Sequence, residues 1–206
     1  MPKEIFYGKE AFEKLRNGAK MLSDAVSVTM GAKGQNVLIE DTYGNDPHIT
    51  KDGVTVAKAV QLKDSVEKLA CNLIKKVALR TNDSVGDGTT TATVLANAIV
   101  QYGADAIENE GINPVLLKRG IDIELKNTLE YLDAIKTPLN DDLTKAREVA
   151  LVSANGDSVI ADLVTEVYNE VGKDGNIAIE IDGNSPFSTY TKVEGVEFDR
   201  GFNNPY

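Results

Sequence analysis

Residues 86–91 read Gly-Asp-Gly-Thr-Thr-Thr, and the sequence after them has the apolar periodicity of a long helix. The N-terminus of a helix presents unpaired N–H groups and the positive end of the helix dipole, which together favour a phosphate. Two glycines let a ligand approach the backbone, three threonines offer hydroxyl donors, and Asp87 is the kind of oxygen ligand that Mg²⁺ prefers. An ordinary N-cap is the alternative interpretation, but a cap needs only one such residue. The stretch indicates a magnesium–phosphate site that also includes Gly86, Gly88, Thr89, Thr90 and Thr91.

Four long segments of residues 1–136 carry apolar residues every three or four positions, which predicts four amphipathic helices in one α-helical domain. The second begins at Asp64, the third runs from Thr89 to about Glu110, and the fourth opens at Asn113 and Pro114. We expect the apolar stripes to form the core rather than a partner-binding surface. The stripes consist of Phe12, Leu15, Ala19, Leu22, Val26 and Met30; Val66, Leu69, Leu73 and Val77; Val94, Leu95, Ala98, Ile99, Tyr102 and Ala106; and Leu117, Ile121, Leu125, Leu129 and Leu132.

Smaller elements lie between and after these helices. A β-hairpin is the simplest account of residues 36–53, since two short apolar runs flank a turn sequence. Beyond the fourth helix, shorter helices are predicted at roughly 141–153 and 158–171, followed by strand-like runs at 177–181 and 189–193. The predicted fold class is therefore mainly α with small β elements (α+β), with a second, small domain after the helical one.

The chain is acidic, with 32 acidic and 22 basic residues and a formal net charge of −10. Such a charge repels nucleic acid and anionic membranes, so neither is an expected partner. It also disfavours a nucleotide, so a phosphate site needs nearby cations, for which Lys33 and Lys51 are the candidates. Cys71 is the only cysteine, which excludes an internal disulfide, and its place on an apolar helix face indicates a buried side chain.

The N-terminus carries charges throughout and lacks the apolar core of a signal peptide. No apolar run approaches the ~18 residues that a membrane-spanning helix needs. His48 has no second histidine and no cysteine pair with which to form a zinc site. These features predict a cytoplasmic protein, in a bacterium or, if the source is viral, in its host.

Six stretches of the chain match one protein family in their order and separation. Together they closely resemble the group I chaperonins, the GroEL family, over essentially all 206 residues. Any one stretch alone would be weak evidence, but coincidence is a poor explanation for six collinear ones. The stretches are residues 27–40 (SVTMGAKGQNVLIE), 49–57 (ITKDGVTVA), 81–96 (ending in GDGTTTATVLA), 113–122 (NPVLLKRGID), 153–156 (SANG) and 194–201 (EGVEFDRG).

The resemblance implies a domain order. Residues 1–136 are similar to the N-terminal half of the equatorial domain, which binds ATP in the family. Residues 137–190 are similar to the first segment of the intermediate domain, and residues 191–206 to the start of the apical domain. The family's second catalytic aspartate lies in a returning intermediate segment that has no counterpart here, so full ATPase activity is expected only in a full-length context.

The same resemblance assigns roles at the site. It implies that Asp87 holds magnesium and that Asp52 lies near the γ-phosphate, where it could orient or deprotonate the attacking water. The site is not a P-loop, because the chain contains no GxxxxGK[ST] sequence. The chain departs from the family's pattern at Ala32, where proline is usual, and at Gln35, where arginine is usual. The residues implied to line the nucleotide are Thr29, Met30, Gly31, Ala32, Lys51 and the 86–91 stretch.

The implied function is that of an ATP-dependent protein-folding chaperonin subunit, with ATP and Mg²⁺ as cofactors. Such a subunit assembles into a homo-oligomeric ring around unfolded protein clients, and a co-chaperonin lid is a candidate further partner. Phe202 and Tyr206 match the family's first client-binding positions. The strand-like opening, residues 3–8, is implied to pair with the hairpin of a neighbouring subunit.

Two alternatives stay open at the level of sequence. One is a truncated, chaperonin-derived fragment that acts as a non-enzymatic ring-assembly or interaction module. The other is an unrelated nucleotide-binding helical domain, against which the matches outside the nucleotide site, NPVLLKRGID and EGVEFDRG, count directly.

Overall fold

The computed structural model describes residues 5–31, 33–40, 46–139, 142–172, 175–180 and 187–195. Helices account for 66% of them, and the predicted fold class, mainly α with small β elements, is confirmed. The chain forms two compact units, Met1–Ala134 and Ile135–Tyr206. The described elements are α1 (Gly8–Ser27), β1 (Val37–Ile39), β2 (His48–Thr50), α2 (Gly53–Ala59), α3 (Ser65–Val85), α4 (Thr89–Glu108), α5 (Pro114–Ile135), α6 (Leu143–Ser153) and α7 (Ser158–Val171).

Helices α1, α3 and α4 pack against one another in the first unit, and the short helix α2 contacts all three. Small side chains let these helices approach closely, since a β-carbon on Gly18 of α1 would overlap the backbone of Glu67 in α3. Ala96 and Val100 of α4 pack against the core from their half-buried positions. Cys71 is a free, buried cysteine, as predicted. The buried core consists of Ala19, Leu22, Val26, Val56, Ala57, Cys71, Ile74 and Ala78.

The predicted β-hairpin is present, with β1 antiparallel to β2 and Leu38 opposite Ile49. Val37 and Ile39 pack against the core, so the alternating side chains Leu38 and Ile49 remain 66% and 63% exposed. The second strand ends at Thr50, and part of the stretch predicted to continue it begins α2 instead. A helix of 7 residues has too few turns to show a clear apolar period in the sequence.

The core-facing sides of α3 and α4 differ from the predicted stripes. Both helices are apolar on more than one side, so periodicity alone cannot say which side packs. The close approach of the helices selects the side that carries more of the small residues. The buried residues are Val66, Ala70, Cys71, Ile74 and Ala78 in α3, and Thr89, Thr93 and Ala104 in α4. The predicted core residues that are exposed instead are Leu69, Leu73, Leu95, Ile99 and Tyr102. The first predicted stripe is wrong in part as well, because Phe12 and Leu15 of α1 and Met30 just after it are exposed.

Helix α5 forms where it was expected, and Asn113 caps it by accepting a hydrogen bond from the N–H of Val115 at 2.8 Å. The prediction that its stripe lies in the core is wrong, because no residue of α5 is buried. Leu117 lies near Gly103 of α4. Among the described residues, no other element buries the remaining residues of the stripe. Despite this apolar face, none of the described helices is long and apolar enough to cross a membrane.

In the second unit, α6 and α7 form where predicted and pack against each other. The turn between them places Asn155 and Gly156 at positive φ, 54° and 88°. Arg147 Nε of α6 donates to Asp162 Oδ1 of α7 at 2.5 Å, which links the two helices. The guanidinium holds the pKa of Asp162 below its usual value, mainly through that hydrogen bond.

The strands predicted at 177–181 and 189–193 are wrong for the parts that can be described, because residues 175–180 and 187–195 contain no strand. A strand is stable only when its backbone pairs with a neighbour, and no described residue pairs with either segment. Tyr190 is held by side-chain contacts instead, since its hydroxyl lies 2.8 Å from Glu170 and 3.1 Å from Glu166 on α7. These contacts, with the Glu170 hydrogen bond first, raise the pKa of Tyr190 to about 12.

Candidate functional site

Three chain junctions that carry predicted site residues meet in the first unit. They are the end of α1, the turn between β2 and α2, and the turn between α3 and α4. The hydroxyl oxygens of Thr29 and Thr90 lie 3.3 Å apart, which joins the end of α1 to the start of α4. Gly53, the first residue of α2, lies against the side chains of Thr90 and Val26. The structure therefore brings together a residue from each junction.

Asp52 caps helix α2. Its Oδ1 accepts a hydrogen bond from the N–H of Val54 at 3.2 Å, and its Oδ2 accepts from the N–H and the hydroxyl of Thr55 at 2.9 and 2.6 Å. The Thr50 hydroxyl accepts a hydrogen bond from the N–H of Asp52 at 3.0 Å. Desolvation acts to raise the pKa of Asp52, but the hydrogen bonds from Thr55 and Val54 and the charge of Lys58 outweigh it and lower the pKa. At neutral pH Asp52 is thus a carboxylate held in a fixed direction.

Helix α4 begins with a glycine instead of a polar cap. Gly86 ends α3 and Gly88 precedes α4, both in the left-handed region, at φ 80° and 77°. Asp87 Oδ1 accepts a hydrogen bond from the N–H of Gly88 at 2.6 Å, and no side chain caps the first turn of α4. In α2, α3, α5, α6 and α7 an aspartate or asparagine supplies that cap, whereas α1, which follows Tyr7, also lacks one. Gly88, the N-cap of α4, therefore has no side chain that could accept from the N–H groups of the first turn, and it directly follows Asp87.

The three threonines of this turn are not equivalent. Thr89 is buried, Thr90 is half-buried with its hydroxyl beside that of Thr29, and Thr91 is exposed. One turn later, the hydroxyl of Thr93 donates to the carbonyl oxygen of Thr89 at 2.8 Å and is fully buried. Of the three predicted hydroxyls, that of Thr91 is therefore the one that solvent reaches most readily.

The loop after α1 is tightly folded beside Thr29. Gly31 is in the left-handed region at φ 74°, and its carbonyl oxygen accepts a hydrogen bond from the N–H of Gly34 at 2.9 Å. A β-carbon on Gly34 would overlap the carbonyl oxygen of Thr29. Two glycines thus fix this loop, one through its backbone conformation and the other through lack of space.

The remaining predicted site residues are placed as follows. The side chains of three of them are exposed, namely Met30, Lys33 and Lys51. The two lysines would therefore contribute their positive charge from the solvent-exposed surface of the site. Ala32 and the two predicted client-binding residues, Phe202 and Tyr206, lie outside the described residues.

The ligands available for a metal are few. Within the described ranges, no group of three or more histidine, cysteine, aspartate or glutamate residues could hold a metal ion. Magnesium commonly keeps several waters and binds through one or two carboxylates together with substrate phosphates. The exposed carboxylate of Asp87 fits a magnesium ion that binds together with a polyphosphate.

Sequence reasoning does not single out two residues of this site, Gly53 and Thr55. Thr55 has a signal, because a hydroxyl three residues after an aspartate at a helix start is a local capping pattern. Gly53 has none, because its closeness to Thr90 depends on how α2 and α4 pack.

Comparison with known proteins identifies the family. The sequence matches that of the TCP-1/cpn60 chaperonin family over residues 22–205, a range that includes all three junctions. The chain belongs to this chaperonin family. It represents the N-terminal region of a chaperonin, which confirms the resemblance seen in the six sequence stretches.

Solved chaperonin structures are similar to this chain as well. One is the chaperonin gp146 from the bacteriophage EL 2 (Pseudomonas aeruginosa) in the presence of ATP-BeFx, in two crystal forms. For form II the identity is 31% and the TM-score 0.65, and the match covers 80% of this chain and 28% of that chain. For form I the identity is 30% and the TM-score 0.65, with 80% and 29% covered. The match with this chaperonin chain therefore spans less than a third of the length of gp146.

Proposed function

We propose that this chain is the nucleotide-binding part of an ATP-dependent protein-folding chaperonin subunit, which binds Mg-ATP and hydrolyses it. The observation that carries the proposal is the start of α4, where the first turn lacks a side-chain cap and follows Asp87 directly. A phosphate would supply the missing acceptor for these N–H groups. The presence of ATP-BeFx in the structures of the similar chaperonin gp146 supports a nucleotide as the ligand.

The proposed roles follow from the placement of each group. The first turn of α4 and the exposed Thr91 hydroxyl would bind phosphate oxygens, and Lys51 would add positive charge. Asp87 would hold Mg²⁺, whose charge would neutralise the phosphates during transfer to water. Asp52 would orient the attacking water, because a carboxylate with a lowered pKa is a poor proton acceptor at neutral pH. Thr29, Met30, Gly31 and Ala32 would line the nucleotide.

Calorimetric titration with ATP, with and without Mg²⁺, tests this assignment. We expect binding that requires Mg²⁺, and we expect Asp87→Ala to weaken it by about 100-fold or more. Asp83→Ala is the matched control, since Asp83 is an exposed aspartate on α3 one turn before Asp87. Helix content should be unchanged in both variants, because the N-cap of α4 is Gly88 and Asp87 lies outside the helix. Equal binding by wild type and Asp87→Ala would overturn the assignment.

We further infer that the intact natural polypeptide assembles into a homo-oligomeric ring around unfolded clients. The exposed apolar residues at the start of the chain and on the hairpin support an inter-subunit contact. Ile5 and Tyr7 are both 84% exposed, and Leu38 and Ile49 form an exposed cross-strand pair on the hairpin, whose sheet has two strands among the residues that the structure describes. Light scattering on the intact polypeptide should give the mass of a closed oligomer, and a monomer would contradict the inference.

One observation favours a second candidate, a non-enzymatic module that assembles with full chaperonin subunits. The apolar stripe of α5 is not buried, so it could bind the surface that normally covers this helix in a complete subunit. The intact mass of the native gene product separates the two candidates. A mass near 22.2 kDa favours the module, and a several-fold larger mass favours the complete ATP-dependent subunit.

A further inference from the structure

Gly53 lies where the starts of α2 and α4 meet, and there is no room for a side chain at this position. A β-carbon at position 53 would overlap the hydroxyl oxygen of Thr90 and would lie 3.3 Å from both Thr90 Cβ and Val26 Cγ1. The same Thr90 hydroxyl lies 3.3 Å from that of Thr29. Three segments are thus in contact at a buried glycine.

Space, and not backbone conformation, accounts for glycine at position 53. Gly86 and Gly88 have positive φ and open space around them, whereas Gly53 does not have a positive φ. An alanine could therefore adopt the backbone of Gly53 at the start of a helix, but its methyl group would collide with Thr90. The expected response to such a change is a separation of α2 from α4.

The other end of α2 is also anchored. The Lys75 ammonium group, on α3, donates hydrogen bonds to the carbonyl oxygens of Lys58, at 3.3 Å, and Val60 at the end of α2. A positive charge at a helix C-terminus is favourable, so this contact holds the far end of α2 in place. A collision at Gly53 would therefore displace mainly the first turn of α2, where Asp52 is the cap.

We propose that Gly53 is a positioning residue for ATP hydrolysis, because its lack of a side chain sets the separation between the Asp52 carboxylate and the start of α4. This inference rests on the proposed function of the site. Restoring an ordinary contact distance of about 3.5 Å between a methyl group and Thr90 would move the start of α2 by on the order of 1 Å. A misplacement of this size in an active site can cost about 100-fold in rate.

The test is a set of variants of the intact natural polypeptide, in which nucleotide affinity and turnover at saturating ATP are measured separately. Gly53→Ala should lower turnover by about 10- to 100-fold and leave the affinity for Mg-ATP within a few-fold. Thr90→Ala removes the colliding hydroxyl, so in that background Gly53→Ala should cost less than about threefold. Thr90→Val removes the hydroxyl but keeps the bulk, and in that background Gly53→Ala should keep its full cost.

The turnover and folding of these variants decide whether Gly53 positions Asp52. An unchanged turnover in Gly53→Ala, or an equal cost in the Thr90→Ala and Thr90→Val backgrounds, would overturn the positioning role. If Gly53→Ala alone does not fold, folding of the Gly53→Ala/Thr90→Ala double variant supports the steric coupling, and failure of the double variant to fold contradicts it. Absence of Mg-ATP binding by the wild type would instead refute the proposed function. In that case, a coupling between positions 53 and 90 that is seen only in the melting temperature would show that their contact is purely structural.

Discussion

The same dipeptide, Asp-Gly, stands at the start of two helices in this chain and is used differently in each. At α2, Asp52 is the N-cap and Gly53 is the first helical residue. At α4, Gly88 is the N-cap and Asp87 lies one residue before it. A shift of one residue therefore commits the Asp52 carboxylate to its own helix and leaves α4 without a side-chain cap. In the function we propose, the first aspartate serves turnover and the second serves magnesium and phosphate binding.

The largest effect expected from this comparison is on turnover. Asp52→Ala in the intact polypeptide should slow ATP hydrolysis by about 10²–10⁴-fold, because a water-positioning carboxylate is lost. The affinity for Mg-ATP should stay within a few-fold of wild type. Steady-state ATP hydrolysis together with calorimetry checks both values. A collapse of affinity with unchanged turnover per bound nucleotide would show that the two aspartates have been assigned the wrong way round.

A second effect separates the two glycines. Gly88→Ala should destabilise the fold by roughly 1–2 kcal/mol, because alanine is strained in the left-handed region that Gly88 occupies at φ 77°. Gly88→Asn should cost less, since asparagine tolerates that region and nothing lies near the position. At Gly53 the order should reverse, with alanine tolerated better than the larger asparagine. Chemical denaturation of the four variants measures this, and the same order at both sites would contradict the comparison.

A third effect concerns how firmly Asp52 is held. The Thr55 hydroxyl donates to Asp52 Oδ2 at 2.6 Å, so Thr55→Val should destabilise the fold by about 1 kcal/mol and raise the pKa of Asp52. Thr55→Ser keeps the hydroxyl and should leave both quantities near their wild-type values. Denaturation and a titration of the Asp52 carboxyl group by NMR give the two readouts. Identical pKa values in the valine and serine variants would show that this hydrogen bond does not set the charge of Asp52.

The smallest effect is a dependence of stability on pH. The pKa of Asp52 is lower in the folded protein than its unfolded value of about 3.9, so the carboxylate stabilises the fold above that pH. This contribution is lost as the pH falls through the lower, folded pKa. Asp52→Asn keeps a cap but removes the charge, so wild type and variant should differ fully above pH ~4 and converge only as the pH falls through the lower, folded pKa of Asp52. A constant difference in unfolding free energy down to the lowest pH would contradict this account.

The positions of the helices can be predicted from the sequence because their ends depend on local residues. Asp64 accepts hydrogen bonds from the N–H groups of Val66 and Glu67 and begins α3 where the sequence places it. Gly88 and Asn113 likewise mark the starts of α4 and α5. Each of these signals lies within a few residues of the boundary that it determines.

The packed faces cannot be predicted in the same way, because they depend on residues far away in the sequence. Leu95 and Ile99 are apolar and periodic, yet they are exposed, because α4 packs against α1 and α3 through its other side. The apolar stripe of α5 indicates that another surface covers this helix. The described residues do not include such a surface, so the stripe is not buried. At the candidate site, the Asp-Gly-Thr-Thr-Thr stretch can be recognised in the sequence. The contact between Gly53 and Thr90 cannot, because it depends on how α2 packs against α4.

In the proposed function, the Asp87 carboxylate serves binding and the Asp52 carboxylate serves turnover. Asp52→Asn and Asp87→Asn remove the same charge from each, and both should be measured for Mg-ATP affinity and for ATP turnover in the intact polypeptide. We expect Asp87→Asn to lose Mg²⁺-dependent binding and Asp52→Asn to bind normally but hydrolyse slowly. The same pattern in both variants, or normal Mg-ATP binding by Asp87→Asn, would contradict the account.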